Sequence, residues 1–217
     1  MPASHVCITR DGRRFEKPSS LLYYQDGPPT SVDIQSWRLR LIGQVPRPLE
    51  LSYPQLLDLP PVTESRRAVC ICNWSVRHEY TGVRLAHVLE MAGLDRPRAD
   101  ALMLLQTSIG TPEKGQYQST VPLQTALQRN AMICYAIDGA PLSLERGYPA
   151  RFIDFGLYLY KCVKGLSSLE VTPEYRLSYW EERAGWPLDG TIRPKRYWFC
   201  DLKERRYVEK EGEIDEF

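Results

Sequence analysis

Ala68-Val69-Cys70-Ile71-Cys72-Asn73-Trp74-Ser75 is the stretch on which the reading of this chain turns. Read as an extended strand, it sends Cys70 and Cys72 to one side and Val69, Ile71 and Asn73 to the other, because strand side chains alternate. Two thiols on one face of a single strand rarely reach disulfide geometry. They are then either core residues, as reduced cysteines often are, or metal ligands, and the residue types leave both readings open. A structural zinc site is poorly served. The three histidines, His5, His78 and His87, show no ligand spacing, and no second CxC or CxxC completes a tetrahedral set.

Composition narrows the class. The 217 residues hold 28 Lys plus Arg against 27 Asp plus Glu, a formal net charge of +1, so neither a nucleic-acid footprint nor a polybasic membrane patch is expected. One domain over 1–217 is expected, with an N-terminal arm at 1–36 and a charged, solvated C-terminal tail from about 201. Six scattered cysteines suit reduced thiols and a cytoplasmic setting. Arg13-Arg14 is followed by Phe15-Glu16-Lys17-Pro18 instead of an apolar run, so no export signal is expected, and no stretch reads as a membrane span.

Upstream of the thiols, the arm reads as irregular and pinned by Leu21-Leu22-Tyr23-Tyr24. Trp37 to Gly43 alternates apolar and basic residues as a half-buried strand does. Ser52-Tyr53-Pro54-Gln55 forms a capping box that predicts a short helix. Downstream, Leu85, Val88, Leu89 and Ala92 fall at helical spacing with Gly93 as terminator. Ala101 to Leu105 predicts a buried strand delivering Gln106-Thr107-Ser108 to its end, Pro112 to Gln116 a loop, and Val121 to Leu127 a short helix. Met132 to Ile137 predicts a strand stopped by Asp138-Gly139, and weak periodicity follows Lys164. Strands interspersed with short helices, without repeated βαβ spacing, predict an α+β fold with mixed β-sheets and short surrounding helices.

Arg151, Lys161 and Lys164 flank or interrupt the apolar and aromatic run Phe152 to Leu166. An unpaired buried cation costs several kcal/mol, so such residues either point outward or neutralise an anion. A guanidinium with its bidentate fork and an ammonium as a point charge would suit a phosphate. The chain has no P-loop, no GxGxxG and no nucleophile elbow.

Together these pieces resemble the molybdopterin-binding domain of the sulfite oxidases and of the bacterial methionine-sulfoxide reductase catalytic subunits. The likeness rests on Trp37 to Gly43 with Pro48-Leu49-Glu50-Leu51-Ser52; on Cys70-x-x-x-Trp74-Ser75 with Tyr80-Thr81-Gly82-Val83; on Tyr135 to Leu142; and on Gly147-x-Pro149-x-Arg151 with Tyr158, Lys161 and Lys164. Tyr179-Trp180-Glu181 matches the closing motif. The resemblance implies a sulfite-oxidase-like fold and a molybdenum-molybdopterin cofactor whose metal is held by Cys70. It implies pterin contacts from Tyr24, Gln25 and Arg146, a hydroxyl offered to the cofactor by Thr107, and a phosphate clamp from the Cys162-Val163-Lys164 backbone and ammonium with Arg151, with Lys161 also among the cofactor-binding residues. Arg77 and His78, expected beside the thiolate, are candidates for drawing in an anionic or sulfoxide-like substrate. The chain departs from the family at Phe155 (usually proline), at Leu159-Tyr160, at Tyr80 and at the polar pair Arg77-His78. The implied activity is oxygen-atom transfer to or from a small substrate, with electrons exchanged through a separate haem, flavin or quinone-linked protein. The alternative is a non-catalytic cofactor-binding protein on the same scaffold.

Overall fold

The computed structural model describes residues 5–8, 14–17, 28–94, 102–111 and 115–216. In chain order it holds β1 (His5–Ile8), β2 (Arg14–Lys17), β3 (Leu39–Gly43), β4 (Leu49–Leu51), α1 (Tyr53–Leu57), β5 (Val62–Cys70), β6 (Trp74–Arg84) and α2 (Leu85–Met91). There follow β7 (Met103–Ser108), β8 (Gln118–Pro122), α3 (Leu123–Gln128), β9 (Met132–Ile137), β10 (Ala140–Pro141) and β11 (Arg151–Ile153). A 3-10 turn (Leu159–Lys161), β12 (Leu166–Thr172), α4 (Tyr179–Ala184), β13 (Lys195–Phe199) and β14 (Glu204–Val208) complete the series. The α+β reading holds.

Two mixed sheets organise these elements. One runs β4-β3-β12-β7-β8, with β12 parallel to β3 and antiparallel to β7. The other runs β10-β9-β6-β13-β14, with β5 also on β6 and β11 also on β9; β13 lies parallel to β6, and the remaining pairs are antiparallel. Leu39 and Leu41 of β3, Leu104 of β7 and Leu169 of β12 turn toward α2 and α3, whose Val88, Leu89, Leu123 and Ala126 complete the largest core. Removing such side chains from water supplies about 1.5 to 3 kcal/mol each, an upper figure because the unfolded chain is not fully extended.

Local chemistry explains the short helices. In α1 the Ser52 hydroxyl accepts from the Gln55 amide while the Gln55 side chain accepts from the Ser52 amide, and Pro54 sits where its missing N–H costs nothing. Behind α2, Gly93 adopts φ +76, the left-handed conformation that ends a helix without a Cβ penalty.

Four expectations need correction. The N-terminal arm is not wholly irregular, since β1 and β2 pair as a hairpin; the Leu21–Tyr24 cluster lies outside the described residues. The segment read as a helix from Val121 begins as β8, an edge strand carrying Ser119, Thr120 and Val121 into the interior before the helix starts at Leu123. Weak periodicity after Lys164 concealed β12, the central strand of its sheet. The charged tail is structural rather than loosely solvated. β13 and β14 pair in full register, Val208 and Ile214 are buried, Arg67 grips Asp201 through both guanidinium nitrogens at 2.7 and 2.8 Å, and Arg66 pairs with Glu213.

Candidate functional site

Cys70 is the last residue of β5, so it does not share a strand with Cys72. Residues 71–73 form the turn of the β5–β6 hairpin, with Asn73 at φ +67, a conformation asparagine tolerates better than most residues. Cys70 is 2% exposed, whereas Cys72 is exposed on the turn and is not a core thiol. The turn brings the Cys72 amide back to donate to the Cys70 sulfur at 3.4 Å, a contact that favours a thiolate. No three His, Cys, Asp or Glu side chains converge as metal ligands among the described residues. What this site offers a metal from the protein is one thiolate, the soft donor suited to an ion that changes oxidation state.

Register decides which side chains share a face with that sulfur. Cys70 pairs with Trp74, Ala68 with Val76, Arg66 with His78, and these lie on one side of the sheet; Val69, Ser75, Arg67 and Arg77 lie on the other. Arg77 is therefore not beside the thiolate. Its amide faces Asp201, and its guanidinium donates to the carbonyls of Ser65 and Asp215. His78 shares the Cys70 face but stands four residues further along β6, bound through Nδ1 to Asp138 at 2.7 Å. Burial of the Asp138 carboxyl, which alone would raise its pKa, is outweighed by the Glu79 amide, His78 and Arg146, so it stays below the usual range. Asp138 thereby links His78 to Arg146, 3.9 Å away.

The loop between β10 and β11 builds the cationic part. Gly147 sits at φ +114, and a Cβ there would lie 3.1 Å from both the Arg151 and Lys164 Cβ atoms, so only glycine lets the backbone run between these two stems. Arg151 is 5% exposed; Nη1 donates to the Arg146 carbonyl at 3.3 Å, while Nε and Nη2 are buried with no hydrogen-bond partner among the described residues. Lys164 Nζ donates to the Glu145 carbonyl at 2.7 Å. Burial drives the Lys164 pKa well below the ordinary lysine range, the Arg151 charge adds to this, and the Cys70 sulfur opposes it. A bound anion would return the proton's stability to Lys164 and give Arg151 Nε and Nη2 an acceptor. On that test the residues fit a phosphate-bearing cofactor next to Cys70.

Other expected contacts do not join them. Lys161 lies three residues from Lys164 but is turned away, its ammonium held by Glu181 Oε1 at 2.6 Å, the Tyr175 hydroxyl at 2.8 Å and the Leu188 carbonyl at 3.0 Å. Its ammonium therefore does not stand beside that of Lys164. The Cys162 and Val163 amides are also taken, by the Leu159 carbonyl and by Gln106 Oε1, and the Cys162 thiol is a core group whose pKa burial pushes up to about 12. The Thr107 hydroxyl accepts from Gln118 Nε2 at 3.0 Å at the end of β7. Tyr24 and Gln25 lie outside the described residues.

Two supports escaped the sequence reading. Gln106 clasps the clamp segment from β7, donating to the Lys161 carbonyl at 3.0 Å while accepting from the Val163 amide at 3.0 Å. Glu181 holds Lys161, and the second capping box in the chain, Ser178-x-x-Glu181, was legible as its signal.

The model of the oxidoreductase molybdopterin binding domain matches residues 26–180. The chain is similar to the uncharacterized oxidoreductase YuiH of Bacillus subtilis, 28% identical over 163 residues, covering 75% of this chain and 78% of that protein. It is also similar to the protein-methionine-sulfoxide reductase catalytic subunit MsrP of Campylobacter jejuni, 24% identical over 168 residues, covering 71% of this chain and 55% of that protein. Among solved structures, the sulfane dehydrogenase SoxCD of Paracoccus pantotrophus superposes with a TM-score of 0.58 at 20% identity, over 82% of this chain and 46% of that one, a likeness of fold.

Proposed function

This chain belongs to the oxidoreductase molybdopterin-binding domain family, and from that premise we propose that it is a molybdenum-cofactor enzyme transferring an oxygen atom to or from a small sulfite- or sulfoxide-like substrate. The observation that carries the reading is the buried Arg151 guanidinium, two of whose nitrogens have no hydrogen bond among the described residues, beside Lys164, which lies within the electrostatic reach of Cys70. When bound, the cofactor supplies a metal that accepts or donates an oxygen atom and two electrons.

The chain's own residues hold and orient. Cys70 would supply the protein's sulfur to the metal, with the Cys72 amide favouring its thiolate form. Arg151 and Lys164 would take the cofactor's phosphate, and Arg146, aligned through Asp138, would meet the pterin side. Gln106 fixes the backbone from which Lys164 projects. Thr107 stands at the strand end where it would reach the cofactor if its hydroxyl is shared with Gln118. His78, one-fifth exposed and tied to Asp138, is retained as a group shaping substrate approach; Arg77 is not. A separate electron carrier is part of this reading, supported by the relative whose name makes it one subunit of a reductase. Among the described residues no helix is long and apolar enough to cross a membrane.

Elemental analysis tests it. Protein from a host that makes the cofactor should carry close to one molybdenum per chain, and finding neither molybdenum nor tungsten under full cofactor supply overturns the reading. X-ray absorption at the metal edge should then lose one sulfur ligand in Cys70→Ser and none in Cys72→Ser; the reverse pattern reverses the assignment.

A further inference from the structure

β13 and β14 lie beyond the residues that match the family model, yet they extend the sheet face on which Cys70 sits. Cys70 pairs with Trp74, Trp74 with Trp198, and Trp198 with Arg205, one lateral row across four strands. Directly opposite residues in neighbouring strands share a face. Where the row reaches the surface there is a cleft of about 290 Å³ lined by Cys72, Asn73, Trp74, Arg196, Trp198 and Arg205.

This cleft is built unlike the surface around it. Trp198 is 41% exposed, a large indole left in water at the middle of a paired strand. Arg196 and Arg205 are exposed beside it and have neither an ion pair nor a hydrogen bond among the described residues, whereas the adjacent Arg206, on the other face of β14, is paired with Glu204. Two guanidinium groups without ion pairs among the described residues line the same cleft as two indoles, a combination that offers apolar aromatic surface together with bidentate anion recognition. The concavity and volume sit near the lower end of the range for small-molecule pockets, roughly 300 to 1,000 Å³, and are too confined for a folded partner.

We propose that this cleft binds a planar conjugated molecule bearing an acidic group, such as a carboxylate, sulfonate or phosphate. The ring lies on Trp198 and Trp74, and the acid is held between Arg196 and Arg205. Trp198 is two strands from Cys70, on the order of 10 Å at ordinary strand spacing, so the occupant sits beside the metal centre. That last relation rests on the reading of Cys70 as metal ligand; binding in the cleft does not.

The test is calorimetric titration of the holoprotein with 2-naphthalenesulfonate and with its neutral counterpart 2-naphthalenemethanol, with molybdenum measured on the same samples. The sulfonate should bind about tenfold or more tighter than the alcohol, and rising salt should erode that preference. Arg196→Gln and Arg205→Gln should each weaken sulfonate binding about five- to tenfold with little effect on the alcohol, and Trp198→Ala should weaken both. Equal affinity for the two ligands, or sulfonate binding untouched by the arginine variants, overturns the proposal. Binding that persists in protein proved unable to carry molybdenum leaves the cleft standing and removes the enzyme reading. Full molybdenum without sulfonate binding does the opposite.

Discussion

Lys161 and Lys164 are three residues apart in one segment, and both are buried, but their surroundings differ in kind. Lys161 meets a carboxylate, a phenol and a carbonyl, and with Glu181 forms an ion pair whose side chains are both fully buried. Lys164 donates to the Glu145 carbonyl and sits in the positive field of Arg151, whose own guanidinium keeps two nitrogens without a hydrogen bond among the described residues. The first arrangement is complete as it stands and serves the fold. The second leaves two buried Arg151 nitrogens without an acceptor among the described residues, a cost that an anion would offset. Burial alone therefore does not tell a structural cation from a binding one; the inventory of acceptors does.

The strongest way to break this contrast is Glu181→Ala. It leaves Lys161 buried without its counter-charge and should cost about 3 to 5 kcal/mol in chemical denaturation. Unchanged stability would mean that Glu181 does not carry the burial of Lys161. The converse changes, Arg151→Met and Lys164→Met, should leave the cofactor-free protein as stable as before or more so. Each should weaken cofactor retention on dialysis by about 1.5 to 3 kcal/mol.

Asp154 sharpens the contrast as a third case, an anion only half matched. Its Oδ1 accepts from the Gly156 amide at 2.9 Å, while its buried Oδ2 has no hydrogen bond among the described residues and meets Arg129 Nη1 only as an ion pair at 3.9 Å. Burial raises its pKa from 3.8 to about 6 against the pull of Arg129. The folded state thus holds the proton more tightly than the unfolded chain. The associated stability is fully present below about pH 3.8 and is lost as pH rises through about 6. Asp154→Asn should flatten that part of the pH profile and stabilise the protein at pH 8 by about 1 to 3 kcal/mol. The smallest effect belongs to Cys72→Ser: on an exposed turn it should stay within about 0.5 kcal/mol of the parent in denaturation.

Much of the frame was legible because local rules acted without competition. The Ser52 capping box, the α2 apolar face with Gly93 and the Asp138-Gly139 turn all formed where residue type predicted them. Cys72 was misplaced because periodicity carries no mark of where a strand ends, and the mark that was present, Asn73, is a turn residue only by its φ. The tail was misread because charge density hides alternation: in β14, Arg205 and Tyr207 are exposed while Val208 is buried and Glu204 and Arg206 are half-buried, a period of two beneath a run of charged residues. Lys161 and Lys164 were indistinguishable at the level of residue type. What separates them is Glu181, twenty residues further on, which no local pattern assigns to either.

The parallel pairing of β13 with β6 also sets an order of events in time. Trp74 and Trp198 are joined across more than a hundred residues of chain, whereas Cys70 and Trp74 are joined across a tight turn. Local pairings close quickly and distant ones late, because loop-closure entropy must be met before the distant contact returns anything. The hairpin carrying Cys70 can therefore exist before the strand that finishes the sheet beside it arrives. During that interval the Trp74–Ser75 edge of β6 keeps its backbone groups open to water, and docking of the β13–β14 hairpin closes that edge.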